Sequence, residues 1–190
     1  MADSNKIKYG IKNVYYAIAT LAADNSATYE TPVALPGAVS LSLDAQGDVN
    51  KFFADNIVYY TSIANNGYEG DLELAYLPES FWTDIIGNVK GGNDVVYEDA
   101  NAEPVHFALM FQFEGDKNAK RHVLYNCTAT RPTISGQTKE DSIEPQTETV
   151  SITATTVFAL NTDIVKGSCV EGDAAYSSWF TSVTLPTAST

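Results

Sequence analysis

Three acidic residues at alternate positions are the part of the sequence best suited to chemistry. Glu69, Asp71 and Glu73 are separated by single residues, and paired carboxylates are the acid and base groups of glycoside hydrolases. No histidine, arginine or lysine lies near them in the sequence to tune a pKa. A catalytic pair, a solvent-exposed strand face and an acidic face that repels a polyanion therefore remain as alternatives.

Other residue types give little support for catalysis or metal binding. His106 and His122 form no HExxH motif, and Cys127 and Cys169 form no CxxC pair. The phosphate-binding patterns GxGxxG and GxxxxGK[ST] and the nucleophile pattern GxSxG are absent from the sequence. We expect no enzyme activity, no metal and no cofactor, and we expect both cysteines to be reduced and buried.

The composition indicates a folded acidic protein. The 190 residues contain 11 lysines and arginines against 24 aspartates and glutamates, a formal charge of −13. Such a charge disfavours binding to nucleic acid phosphates or to an anionic membrane. No apolar run approaches the roughly 18 residues of a spanning helix, and residues 1–12 lack the apolar core of a signal peptide. We expect a single domain, 1–190, in a cytoplasm.

The elements that would position these residues are mostly strands, because apolar residues recur mostly at every second position. Strands are predicted across 7–19, 39–43, 68–77, 107–113, 123–127 and 147–158. A helix is predicted to begin at Pro78 and end at Gly87, and a short C-terminal helix to begin after Asp173. The fold class is therefore α+β and mainly β: an antiparallel β-sandwich or rolled barrel with one flanking helix.

Two long connections interrupt this pattern. Residues 44–67 are predicted to form a long loop between strands, yet this loop is rich in apolar and aromatic side chains: Phe52, Phe53, Ile57, Val58, Tyr59, Tyr60 and Ile63. Core packing by an unrecognised strand, contact with another subunit and stacking against a sugar each explain such residues. Residues 130–146 are polar and are predicted to form a mobile connection.

Lysines form a basic stripe at the start of the chain. Lys6, Lys8 and Lys12 alternate with apolar residues in the first predicted strand. They fit a solvated strand edge that resists aggregation. They fit equally a surface that pairs with an acidic neighbouring subunit.

The order of several sequence blocks resembles the major tail protein family, the tail tube proteins of phages with long, non-contractile tails that infect Gram-positive bacteria. The resemblance spans about 7–180. The blocks are TPVALPGAVSLSL (31–43), FADNIVYY (53–60), NNGYEGDLEL (65–74), FALMFQFEGD (107–116), VLYNC (123–127), RP (131–132) and TKE (138–140).

This resemblance implies a structural virion protein of the tail, assembled in the host bacterial cytoplasm. Members form hexameric rings that stack into a tube around a tape-measure protein, together with tail terminator and distal tail proteins, and DNA passes through without specific binding. Lys6, Lys8 and Lys12 stay candidate contacts with an acidic neighbouring subunit on their charge and spacing alone. The resemblance implies that Glu69, Asp71 and Glu73 face the lumen. It also implies that the 44–67 loop contacts the next ring through Phe52, Phe53, Asp55, Asn56, Ile57, Tyr59 and Tyr60.

Three other functions stay open at this point. A tube protein of a contractile tail or of a secretion system would share the fold. A carbohydrate-binding β-sandwich would be a monomer that binds sugar saturably. An acid-pair hydrolase would lose turnover on Glu69→Gln.

Overall fold

A computed structural model describes residues 7–138 and 146–188 of the chain. Within these residues the protein is mainly β, with one short helix, which confirms the predicted fold class. The elements are β1 (Ile11–Leu21), β2 (Ala27–Tyr29), β3 (Val33–Ala34), β4 (Ala38–Gln46), β5 (Val49–Ala54), β6 (Ile57–Ile63), β7 (Gly67–Leu74), α1 (Glu79–Phe81) with a π-helical turn (Trp82–Ile86), β8 (Asn88–Lys90), β9 (Val96–Glu98), β10 (Phe107–Phe113), β11 (Arg121–Ala129), β12 (Glu148–Thr155), β13 (Val157–Ala159), β14 (Thr162–Ile164) and β15 (Lys166–Cys169).

One antiparallel sheet contains most of these strands. Its order is β2-β1-β10-β11-β12-β7-β4, with β3 paired to β1 and β15 paired to β11. The strands predicted across 107–113 and 123–127 correspond to β10 and β11, which pair as an antiparallel hairpin. The pairs β5-β6, β8-β9 and β13-β14 form separate two-stranded sheets.

The large sheet curls into a sandwich-like fold because its two halves bury side chains in the same cluster. On β7 and β12, apolar side chains alternate with polar ones, as expected for strands with one buried face. Their buried residues Leu72, Leu74, Val150 and Ile152 share one core with Tyr16, Phe107 and Leu109 of β1 and β10.

The middle of the sheet is covered on both faces. Six of the seven residues of β10 are buried, which requires apolar cover on each side. A second cluster contains Ala17, Ala108, Met110, Val123 and Tyr125, and Trp179 of the C-terminal segment packs into it. The free, buried Cys127 and Cys169 belong to the first and the second cluster respectively.

The short helix is built as the sequence predicts. Pro78 precedes its first turn, and Gly87 ends it with a φ of 87°, a left-handed conformation that glycine adopts without strain. Phe81 and Ile85, four residues apart, both point into the core. Phe81 packs edge-on against Tyr16, with ring centroids 5.3 Å apart. The helix therefore closes one side of the first cluster.

The C-terminal helix predicted after Asp173 is not formed, and that prediction is wrong. Residues 171–182 form a series of turns instead. The Arg121 guanidinium lies over the Tyr176 ring, 3.7 Å from its centroid, and over the Phe180 ring at 4.7 Å. Trp179 donates to the His122 carbonyl at 3.4 Å. These contacts with β11 determine the backbone conformation of residues 171–182 and override the weak helical preference of the sequence.

The predicted loop at 44–67 is largely ordered as strands. β4 continues to Gln46, and β5 and β6 form a hairpin whose turn at Asp55 and Asn56 has φ values of 53° and 63°. Such left-handed pairs are the turns that short hairpins prefer. Of the connection predicted at 130–146, residues 139–145 lie outside the described part of the chain, and the rest contains no helix or strand.

Replacing Phe81 with alanine should lower the free energy of unfolding by about 3–5 kcal/mol, because it leaves a cavity between the helix and the sheet. Urea unfolding followed by circular dichroism measures this. Tyr76→Ala is the matched control, since Tyr76 is 71% exposed, and it should change stability by less than about 0.5 kcal/mol. Equal losses in both variants would contradict the packing described for Phe81.

Candidate assembly surfaces

Glu69, Asp71 and Glu73 lie together on the outer face of the sheet. β7 pairs in register with β4 on one side and with β12 on the other. Residues paired directly across strands point to the same face. The outer residues of the three strands are therefore Ser40, Ser42, Asp44, Glu69, Asp71, Glu73, Thr149, Ser151 and Thr153, which we call the acidic face.

Hydroxyl groups hold two of these carboxylates in place. Thr147 donates to Glu73 at 2.7 Å and Ser40 donates to it at 2.8 Å. Ser151 donates to Asp71 at 2.6 Å. The hydrogen bond from Thr147, followed by that from Ser40, lowers the pKa of Glu73 below its usual value. The Glu73 carboxylate is therefore ionised at neutral pH.

No basic residue opposes this charge on the strands that carry it. The sequences of β4, β7 and β12 contain neither lysine nor arginine. A general acid of a hydrolase needs a raised pKa, whereas the Glu73 pKa is lowered. Glu73 therefore does not suit the role of general acid.

The β5-β6 hairpin carries a large exposed group of apolar side chains. We call this element the apolar hairpin; its exposed residues are Val49, Phe52, Phe53, Ile57, Val58, Tyr59, Tyr60 and Ile63, at 46–76% of their full accessibility. Phe52 pairs with Tyr60, and Phe53 pairs with Val58, so both faces of the hairpin are apolar. Soluble monomers rarely expose so much contiguous apolar surface. Asp55 and Asn56 form the tip.

The basic stripe predicted near the N-terminus is only partly described. Lys6 lies outside the described residues. Lys8 lies over the Phe113 ring, 4.8 Å from its centroid, and Lys12 forms a salt bridge with Glu114 at 3.6 Å. β1 begins at Ile11, and its pairing with β10 shifts register after Lys12. The regular alternation predicted from residue 7 is therefore interrupted.

A cavity of about 200 Å³ was not foreseen from the sequence. Residues of β4, β7, β10, β11 and β15 line it, and two of its lining residues are lysines. We call it the cationic cavity, lined chiefly by Lys8, Leu41, Leu43, Phe113, His122 and Lys166. Burial, and then the charge of Lys120, lowers the His122 pKa to about 4. Its members are far apart in the sequence, so no local motif could have indicated it.

Neither a metal-ligating cluster nor a membrane-spanning helix occurs in the described part of the chain. No group of three or more His, Cys, Asp and Glu residues there is arranged to hold a metal ion. No helix among these residues is long and apolar enough to cross a membrane.

Comparison with family models identifies a match over most of the chain. A family model described as phage tail tube protein matches residues 2–174. This range includes β4, β7 and β12, which form the acidic face, and the whole apolar hairpin. A search of curated proteins found no match to the chain.

The hydroxyl bonds to Glu73 should make stability depend on pH. Because the folded-state pKa is lowered from 4.5, the stabilisation is present above that value and is lost as the pH falls through the folded pKa. The thermal midpoint of the wild type should therefore exceed that of Glu73→Gln at pH 7, and the difference should shrink towards pH 3.

Glu69→Gln is the matched control for losing one negative charge, since Glu69 accepts no hydrogen bond from a hydroxyl in the described part of the chain. A difference between wild type and Glu73→Gln that stays constant from pH 7 to pH 3 would contradict the role given to Thr147 and Ser40.

Proposed function

The chain belongs to the phage tail tube protein family, and from this premise we propose that it forms hexameric rings that stack into a tube conducting DNA from capsid to host. The family role is structural: a component of the virion tail that assembles into a tube with other tail proteins. In our proposal the rings form in the host cytoplasm around a tape-measure protein. Terminator and distal tail proteins complete the two ends.

The acidic face is the observation that carries the proposal. DNA has one negative charge about every 1.7 Å of its axis, so basic groups along a channel would bind it at many points and slow its passage. A wall without lysine or arginine, with carboxylates anchored by hydroxyl groups, repels DNA over about 8–10 Å at physiological salt. We therefore place Glu69, Asp71 and Glu73 on the lumen.

The apolar hairpin supplies the second part of the proposal. Its aromatic and aliphatic side chains are exposed in a single copy, and burying them favours association. We propose that they contact the neighbouring ring, through Phe52, Phe53, Asp55, Asn56, Ile57, Tyr59 and Tyr60. The hairpin joins the body at one end of the β4-β7 ladder, where Gln46 pairs with Gly67. It therefore projects without contributing to the core.

Negative-stain electron microscopy of the concentrated purified protein tests the proposal directly. Rings or tubes with a central channel are the expected result. A protein that remains monomeric at high concentration and binds a sugar saturably would overturn the proposal and favour a carbohydrate-binding module.

Deleting residues 47–63 should abolish tube growth and leave the domain folded. The deletion leaves Ala64, Asn65 and Asn66 between Gln46 and Gly67, and a three-residue connection suits two strands already paired at that point. Circular dichroism and thermal unfolding measure the fold, and electron microscopy measures assembly. Loss of the unfolding transition would show that the hairpin belongs to the core.

Replacing Glu69, Asp71 and Glu73 together with lysine should slow or stall DNA ejection while tails still assemble. The substituted face would bind phosphates by releasing counterions, so the defect should weaken steeply as salt rises. Leu72 and Leu74 point to the opposite face, so the core is retained. Ejection from mutant particles at low and high salt is the measurement.

Two comparisons isolate the effect of the lumen. Glu69→Gln, Asp71→Asn and Glu73→Gln together remove the repulsion without adding positive charge. Asp99→Lys, Glu103→Lys and Glu171→Lys add the same positive charge at exposed positions elsewhere and should leave ejection unchanged. Normal ejection from the lysine-substituted acidic face would place these carboxylates outside the channel.

A further inference from the structure

The cationic cavity combines an apolar floor with two exposed positive charges. Leu41 and Leu43 of β4 line one side, and Phe111 and Phe113 of β10 line the other. Lys8 lies over the Phe113 ring, and Lys166 lies over the Tyr68 ring with its ammonium 4.7 Å from the centroid. The cavity therefore suits a ligand that is apolar and also carries a negative charge.

Lys8 and Lys166 are unusual for lysines of so acidic a chain because they lack a nearby carboxylate partner among the described residues. Neither Lys8 nor Lys166 has a carboxylate within salt-bridge distance in the part of the chain that the structure describes, although Lys12, Lys90 and Arg131 each have one. His122, which also lines the cavity, is neutral and so adds no charge to that of the two lysines. Asp116 is the carboxylate whose negative charge raises the His122 pKa, against the larger effect of burial. An uncompensated pair of cations beside aromatic rings favours an acidic partner.

If the chain forms a homopolymer, the acidic partner of this cavity is a surface of another copy of the same chain. When one chain contacts copies of itself head to tail, the receiving surface and the projecting surface both belong to that chain. The projecting surface in the proposed function is the apolar hairpin. Its tip presents the Asp55 carboxylate, which has no salt bridge among the described residues, beside the exposed Phe53 and Ile57. The tip thus combines a negative charge, which suits the two lysines of the cavity, with apolar side chains, which suit its apolar floor.

The contact has to be made between copies. Leu41, Leu43 and Tyr68 place the cavity near the root of the hairpin. The tip lies a further six to seven residues beyond the first pair of the hairpin, Val49 with Ile63, or about 20 Å at 3.3 Å per residue. Its side chains are exposed rather than packed against their own body. The hairpin of one copy therefore reaches away from its own cavity.

We propose that the cationic cavity is the receptor for the hairpin tip of a neighbouring copy, with Asp55 set between Lys8 and Lys166 and the apolar side chains of the tip against Leu41, Leu43 and Phe113. This inference rests on the proposed function, because it identifies the surface on which the assembly hairpin docks. It explains why, among the residues that the structure describes, Lys8 and Lys166 have no carboxylate within salt-bridge distance.

Reversing the charges on the two sides of the proposed contact, Asp55 on one side and Lys8 with Lys166 on the other, tests it. Asp55→Lys alone, and Lys8→Glu with Lys166→Glu, should each raise the protein concentration needed for tube formation by about tenfold or more, since like charges then meet. The variant with all three substitutions should recover assembly, and so should an equal mixture of the two defective proteins. Light scattering measures the threshold concentration, and thermal unfolding verifies that each variant is folded.

Lys90→Glu with Arg131→Glu is the matched control, because it reverses two exposed cations whose surface salt bridges contribute little. It should leave the threshold unchanged. A second test pairs Asp55→Cys with Lys166→Cys, which should give a disulfide between copies on mild oxidation of assembled tubes. The native cysteines are buried and give little background.

The outcomes separate the two proposals. If the wild type forms no rings or tubes, the proposed function fails. If hairpin deletion blocks assembly while reversal of Lys8 and Lys166 leaves the threshold unchanged, the function stands and this docking site is overturned. If both reversals impair assembly but their combination and their mixture do not restore it, the pairing of Asp55 with these lysines is also overturned.

Discussion

The in-register pairing of β7 with both neighbouring strands is the constraint on which the rest of the structure depends. It directs Leu72 and Leu74 into the core and places Glu69, Asp71 and Glu73 on the outer face. A slip of one residue would exchange the two sets and bury carboxylates among leucines. The same register aligns the hydroxyl groups of β4 and β12 with these carboxylates. Core stability and surface charge are therefore determined together.

The parts of the fold that could be predicted are those where apolar and polar residues alternate most clearly or where proline and glycine mark the ends of an element. β7 and β12 alternate sharply between apolar and polar residues, and Pro78 and Gly87 mark the helix ends, so sequence reasoning identified them. The apolar hairpin was missed because both its faces are exposed and apolar, which removes the alternation. The Asp55-Asn56 pair between two runs of β-forming residues was the signal available for it.

Other features depend on residues that meet only in the folded chain. The aromatic spacing near the C-terminus suggested a helix, but Arg121 binds the Tyr176 and Phe180 rings and determines a different path. The cationic cavity joins Lys8, His122 and Lys166 from three distant segments. Local patterns contain no information on such contacts. The Glu69, Asp71 and Glu73 part of the acidic face was accessible to prediction because these three carboxylates come from one strand.

The apolar hairpin leaves the body where Gln46 and Gly67 are still paired, so the ladder beneath it is complete without it. This arrangement bears on how such chains diverge. Substitutions in the hairpin leave the buried clusters untouched, so they alter which copies associate while each copy continues to fold. Two related chains expressed in one host, with the same core but with hairpins and receptor cavities that differ together, would then sort into separate assemblies.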